Sequence, residues 1–133
     1  MNMLDIMTPN VITVHEIDNV ETVCKIMLEA KTRHVVVVTP SGKIQGIVSD
    51  RDCNLALQSP FEYGDPVALA KSIAVKNIMT EMPHCISPHA SVSEAAQLML
   101  EYKISALPVL RDGTLIGIVT TTDLLKLLVS VPA

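Results

Sequence analysis

Hydrophobic positions follow two rhythms along this chain, and the same succession of rhythms occurs twice. Residues 11–14 read as a short strand. Behind them Val20, Val23, Cys24, Met27 and Leu28 recur at the spacing that puts side chains on one helix face. Asn19 stands where the N-cap of that helix belongs. Residues 35–38 are a continuous apolar run, the pattern of a strand buried on both faces. Ser41-Gly42 marks a turn, 44–48 a further strand, and 51–57 a short closing helix. In the second series Ser91-Val92-Ser93-Glu94 has capping-box spacing, and Val92, Ala95, Ala96, Met99 and Leu100 repeat the apolar stripe. Residues 107–110, the turn Asp112-Gly113, then 115–119 and 122–129 predict strand, turn, strand and helix again. Residues 58–76 connect the two series. They open with Ser-Pro, contain Tyr63-Gly64-Asp65-Pro66, and are expected to begin as a loop and continue as a helix through 67–73.

The repetition extends to residue identity. Ile6-Met7-Thr8 recurs as Ile78-Met79-Thr80, and Met27-Leu28-Glu29 as Met99-Leu100-Glu101, both at an offset of 72. After a one-residue deletion Gly46-Ile47-Val48 recurs as Gly117-Ile118-Val119, and Asp52 as Asp123. Over 50 aligned pairs (5–38 with 77–110, 42–57 with 113–128) 15 are identical, which marks an internal duplication. The expected organisation is a first copy at 1–57, a linker at 58–76 and a second copy at 77–133. One copy of some 50 residues is small for a core of its own, so two copies packed face to face are expected to share one. The expected fold class is α/β, with two tandem βαββα units packed through their sheets.

Composition narrows the function. With 49% apolar and 18% charged residues the 133-residue chain is built to fold. Lys and Arg number 10 against 14 Asp and Glu, and a net charge of −4 speaks against nucleic acid as a partner. The three aromatics Phe61, Tyr63 and Tyr102 are too few for a base-stacking surface. Unbroken aliphatic runs reach only the length of residues 35–38, too short for a membrane span. The start of the chain lacks the pattern of a signal peptide. Three cysteines, an odd count, read as reduced thiols in the cytoplasm. His84, Cys85 and His89 match no common zinc spacing, so no metal is expected. Neither a nucleophile elbow nor a glycine-rich phosphate loop occurs, so no catalytic machinery is expected.

Two corresponding segments carry the candidate chemistry: Gly46-Ile-Val-Ser49-Asp-Arg-Asp52 and Gly117-Ile-Val-Thr120-Thr-Thr-Asp123. Each runs a strand into Ser/Thr-x-x-Asp and then a helix. One reading is structural: the hydroxyl caps the helix and the carboxylate suits the positive end of its dipole. The other is functional. A carboxylate at a helix start can accept two hydrogen bonds from a ribose diol, while the hydroxyl and open amides receive phosphate oxygens. Both readings stand on these residues.

The duplicated Gly-Ile-Val-(Ser/Thr)-x-x-Asp segments, Ile104-Ser-Ala-Leu-Pro-Val109 and the two Ile-Met-Thr entries resemble the cystathionine-beta-synthase (CBS) domain pair, or Bateman module, over nearly the whole chain. The Asp5-Ile-Met-Thr start and Ser49-Asp-Arg-Asp52 are most similar to small stand-alone proteins of the acetoin-utilisation type. The resemblance implies a pseudo-twofold axis and two clefts between the repeats. They would bind adenosine compounds such as AMP, ADP, ATP or S-adenosylmethionine as regulatory ligands, with no obligatory cofactor. By position, Asp52 and Asp123 would take the ribose hydroxyls, with Ser49, Thr120 and Thr122 near ribose and phosphate. Thr13, Val14, Cys85 and Ile86 would line adenine with backbone polar groups. Arg33, His34, Ser105 and Ala106 would complete the clefts, Arg33 and Arg51 being cations able to meet phosphate. The family's proline before the last valine of the second strand is present as Pro108 but replaced by Val36 in the first copy, and the second copy has no basic residue at Ser105-Ala106. The cleft receiving Arg33 and His34 therefore suits a phosphorylated ligand; the other suits a nucleoside or S-adenosylmethionine, or stays empty. A homodimer through the apolar helix faces is also implied, with room for an unidentified protein partner. Two other classes remain: a structural or dimerisation module with degenerate clefts, and a thiol-based redox sensor using Cys53 or Cys85.

Overall fold

In the computed structural model, which describes residues 1–58 and 64–131, the elements run in chain order as follows. They are α1 (Met3–Ile6), β1 (Thr8–Pro9), β2 (Thr13–Val14), α2 (Val20–Ala30), β3 (His34–Val38), β4 (Ile44–Ser49) and α3 (Asp50–Leu57). Then come α4 (Pro66–Ser72), a 3-10 turn (Val75–Asn77), β5 (Thr80–Glu81), α5 (Val92–Tyr102), β6 (Ala106–Arg111), β7 (Thr114–Thr120) and α6 (Thr121–Ser130). The Ser-Pro opening of the linker and Tyr63 lie outside the described residues. The linker helix forms as α4, with Asp65 accepting from the Val67 amide at 2.9 Å and Pro66 at its first position. The strand expected at 11–14 shortens to Thr13–Val14, and its counterpart at Cys85-Ile86 is a single bridge, Ile86 to Val109.

These elements form two compact units that cut across the sequence repeats. One is Ile12–Met82; the other joins Met1–Val11 to Pro83–Ala133. The first unit has a sheet of order β2-β3-β4-β5, the second a sheet of order β1-β7-β6. The two Ile-Met-Thr entries are thus exchanged. Thr8 pairs with Ile118 of β7, and Thr80 with Ile47 of β4. Glycine permits each approach: a Cβ on Gly46 would sit 2.8 Å from the Thr80 carbonyl oxygen, and one on Gly117 would run into the Met7 sulfur.

Each unit has an apolar cluster of its own. Val14, Val20, Val23, Met27, Val35, Val37, Val48 and Cys53 form the first; Met3, Ile86, Ala95, Met99, Leu107, Val109 and Val119 belong to the second. The reason lies in the strand period. Val35 and Val37 turn one face of β3 toward the stripe of α2, and Leu107 and Val109 do the same toward α5. Each unit thereby covers its own sheet with its own helix. Val36 and Pro108 are fully buried as well, on the opposite faces of their strands. Both long helices end alike: Lys31 and Lys103 take the left-handed conformation at φ 54°, and their amides return to the carbonyls of Met27 and Met99.

Candidate functional site

Each unit gathers one complete set of the candidate residues. In the first, β3 and β4 are antiparallel with His34 opposite Ser49, so both stand at the end of the sheet where α3 begins. The Asp50 amide donates to the Arg33 carbonyl at 2.9 Å and fastens the helix start to the strand start. In the second unit Ala106 stands opposite Thr120, and the Thr121 amide donates to the Ser105 carbonyl at 2.9 Å. Asp50 and Thr121 were not among the residues expected to matter. Their signal is the shared offset of 71, which aligns them in the two copies just as it aligns Asp52 with Asp123.

The helix starts are capping boxes. The Ser49 amide donates to Asp52 Oδ2 at 2.9 Å, and the Asp52 amide to Ser49 Oγ at 3.2 Å. The Thr120 amide and hydroxyl donate to Asp123 Oδ2 at 2.8 and 3.1 Å, and the Asp123 amide to Thr120 Oγ1 at 3.4 Å. The structural reading of the motif is therefore realised at both places. It occupies only one carboxylate oxygen. Oδ1 of Asp52 and Oδ1 of Asp123 accept no hydrogen bond from a described residue, and both side chains are half-buried. One oxygen holds the helix, and the other remains an acceptor.

The backbone groups expected to meet adenine are divided. The Ile86 amide donates to the Pro108 carbonyl at 2.9 Å, and the Ile86 carbonyl accepts from the Leu110 amide at 3.1 Å. The Ile86 amide and carbonyl are thus both engaged in the sheet bridge. The backbone of Cys85 has no such bond to a described residue, so the available groups of that pair are those of Cys85. Its thiol is half-buried, donates to the Pro83 carbonyl at 3.3 Å and is pushed above its ordinary pKa by burial. In the first unit the Val14 side chain is buried in the apolar cluster, while Thr13 is exposed.

The two sets differ in charge. Arg33, Asp50 and Arg51 are exposed around Ser49 and Asp52, and His34 is half-buried beside them. Burial lowers the His34 pKa; Asp50 and then Asp52 oppose that shift, and Arg33 adds to it. The second set holds Ser105, Ala106, Thr120, Thr121, Thr122 and Asp123, with Asp123 its single charge. His84 stacks on Tyr102 with ring centres 3.7 Å apart. Among the described residues no group of three His, Cys, Asp or Glu side chains could hold a metal ion, and no helix is long and apolar enough to cross a membrane.

Two α/β repeats, each ending its hairpin in a carboxylate-capped helix, define a duplicated α/β domain pair. The chain belongs to the CBS domain family, whose pattern it matches over residues 4–59 and 75–130. A CBS domain-containing protein of Dictyostelium discoideum is 36% identical over 121 residues, covering 85% of this chain and 83% of that one. Homoserine O-acetyltransferase of Methanococcoides burtonii is 34% identical over 128 residues, but these make up 24% of its length. Among solved structures, a protein provisionally named for acetoin utilization (AcuB) from Vibrio cholerae superimposes with TM-score 0.80 at 28% identity. It covers 97% of this chain and 90% of its own. The CBS domain pair of protein MJ0100, in complex with 5′-methylthioadenosine and S-adenosyl-L-methionine, gives TM-score 0.83 at 28% identity over 96% of this chain and 95% of that one. CBSX2 in complex with AMP gives 0.82 at 27% over 99% of both.

Proposed function

We propose that this chain is a ligand-sensing regulatory module without catalysis of its own, which binds adenosine compounds through Asp52, Asp123 or both. The observation that carries the reading is the division of labour within each carboxylate. Oδ2 secures the first helical turn, and Oδ1 is left to accept from a ribose hydroxyl. Related CBS pairs in complex with AMP and with S-adenosyl-L-methionine support adenosine as the common ligand element. Two charge-assisted hydrogen bonds of roughly 1.5–3 kcal/mol each, with a buried base, are compatible with micromolar affinity, about −8 kcal/mol.

Charge separates the two sites. Arg33 and Arg51 favour a phosphorylated ligand such as AMP, ADP or ATP at Asp52. At Asp123, where no cation is present among the site residues, a nucleoside or the cationic S-adenosylmethionine is favoured. Cys85, Ser105, Thr120 and Thr122 supply polar groups there, as Thr13, His34 and Ser49 do in the first unit. Calorimetric titration with each compound tests the assignment. AMP binding that persists in Asp52→Asn and vanishes in Asp123→Asn would reverse it.

A further inference from the structure

Two cysteines share one apolar cluster of the first unit, and the proposed ligand site uses neither. Cys24 lies on α2 and Cys53 on α3, two helices in contact. Cys53 is part of the buried cluster, and the half-buried Cys24 packs against that cluster. After burial itself, the neighbouring Cys24 is the largest influence raising the Cys53 thiol. The duplication shows that packing does not require sulfur here: the corresponding positions in the second copy are Ala96 and Leu124.

We propose that Cys24 and Cys53 are a reversible dithiol–disulfide pair that staples α2 to α3. The oxidant is a low-molecular-weight disulfide, RSSR. Cys24, the more exposed thiol, loses its proton and attacks one sulfur of RSSR. The RS–SR bond breaks, a mixed disulfide forms on Cys24, and the first RS⁻ leaves and takes up a proton. Cys53 then loses its proton and attacks the Cys24 sulfur. The intramolecular bond forms as the second RS⁻ departs and is protonated. Two electrons pass from the cysteine pair to RSSR, which becomes two RSH. The order follows from the environment. Burial first, then the neighbouring Cys24, Asp52 and Asp50, push the Cys53 thiol up to about 12, so Cys53 is the resolving partner and not the initiator.

The test incubates the full chain with glutathione disulfide, followed by alkylation, non-reducing peptide mapping and a melting curve. The expected product joins the peptides of Cys24 and Cys53, has lost two hydrogens in mass, and leaves Cys85 open to alkylation. It melts at a higher temperature than the reduced chain, because the cross-link restricts the unfolded ensemble, and dithiothreitol reverses the shift. Cys24→Ala, which installs the residue of the second copy, is expected to abolish both product and shift while remaining folded. Cys53→Ala serves as the second variant and is expected to stop at the mixed disulfide on Cys24. The proposal is overturned if both cysteines stay alkylatable or if the bond formed involves Cys85 or a second chain. A correct disulfide that leaves the melting temperature unchanged overturns the stapling role.

Discussion

At the scale of single residues, the two aspartates decide most of the account. A capping box and a ribose acceptor were competing readings of Ser/Thr-x-x-Asp, since both ask for a carboxylate at the third helical position. The geometry reconciles them, because a carboxylate has two oxygens and the cap uses one. Asp52→Ala and Asp123→Ala therefore remove both functions, and each is expected to cost about 1 kcal/mol in urea unfolding. Asparagine separates them: its one carbonyl oxygen can keep the cap while its NH₂ faces the ligand side. Asp52→Asn is expected to retain most of the stability and to lose binding at its own site. An Asn variant that binds as the native chain does would return the carboxylate to a purely structural role. His34 gives a pH prediction. Its folded pKa lies below the ordinary imidazole value of 6.5 because burial outweighs the pull of Asp50 and Asp52. The unfolded chain therefore takes up a proton first on acidification. The stability this group contributes is fully present above pH 6.5 and is lost as pH falls through the lowered value. NMR titration of the His34 ring should show a midpoint below 6.5; one above would mean that the carboxylates dominate.

At the scale of elements, the hydrophobic rhythm was legible nearly throughout. Helices, continuous apolar strands and Gly-containing turns formed where the pattern placed them, because one copy's burial demands are repeated in the other; the last stripe positions, Leu28 and Leu100, are instead exposed. The short edge strands were not legible. A two-residue strand such as Thr8–Pro9 or Thr80–Glu81 has no period, and its partner is chosen by tertiary packing. The exchange of the Ile-Met-Thr segments left one trace in the sequence, the paired glycines Gly46 and Gly117. Gly46→Ala is expected to cost about 1–3 kcal/mol, because the added methyl meets the backbone oxygen of Thr80. Gly117→Ala is expected to cost less, since the nearest obstacle is the flexible Met7 side chain, and Met7→Ala should partly rescue it. Equal penalties without rescue would show that β1 and β5 do not press on these glycines. Cys85 and Ile86 show the same limit of one-dimensional reading: which of two neighbouring backbones is spent on the sheet depends on a bridge no local pattern announces.

At the scale of the whole molecule, duplication provides two similar frames and divergence makes them chemically unequal. Each unit closes with help from a segment of the other sequence copy, Met3 of α1 being fully buried among second-copy residues. Deletion of residues 1–9 is therefore expected to destabilise the unit built on Pro83–Ala133 first. Hydrogen exchange reads this as lost protection in β6 and β7 with β3 and β4 retained. The helices also carry exposed apolar side chains, Leu28 and Leu55 on the first unit and Leu100, Leu125 and Leu128 on the second. A second copy of the chain is the proposed cover, and light scattering is expected to give twice the 14.4 kDa of one chain; a monomer at micromolar concentration would refute it. The central claim is adenosine binding through the unused carboxylate oxygens. A ligand at about a hundred times its Kd raises stability by about 2.7 kcal/mol, a readily visible shift in melting. The most direct measurement is calorimetry of AMP, ATP and S-adenosylmethionine against the native chain and the Asp52→Asn, Asp123→Asn double variant. Saturable heat in the first and none in an equally stable second is the predicted result. Absence of heat from every compound with the native chain, or undiminished binding by the double variant, would contradict it.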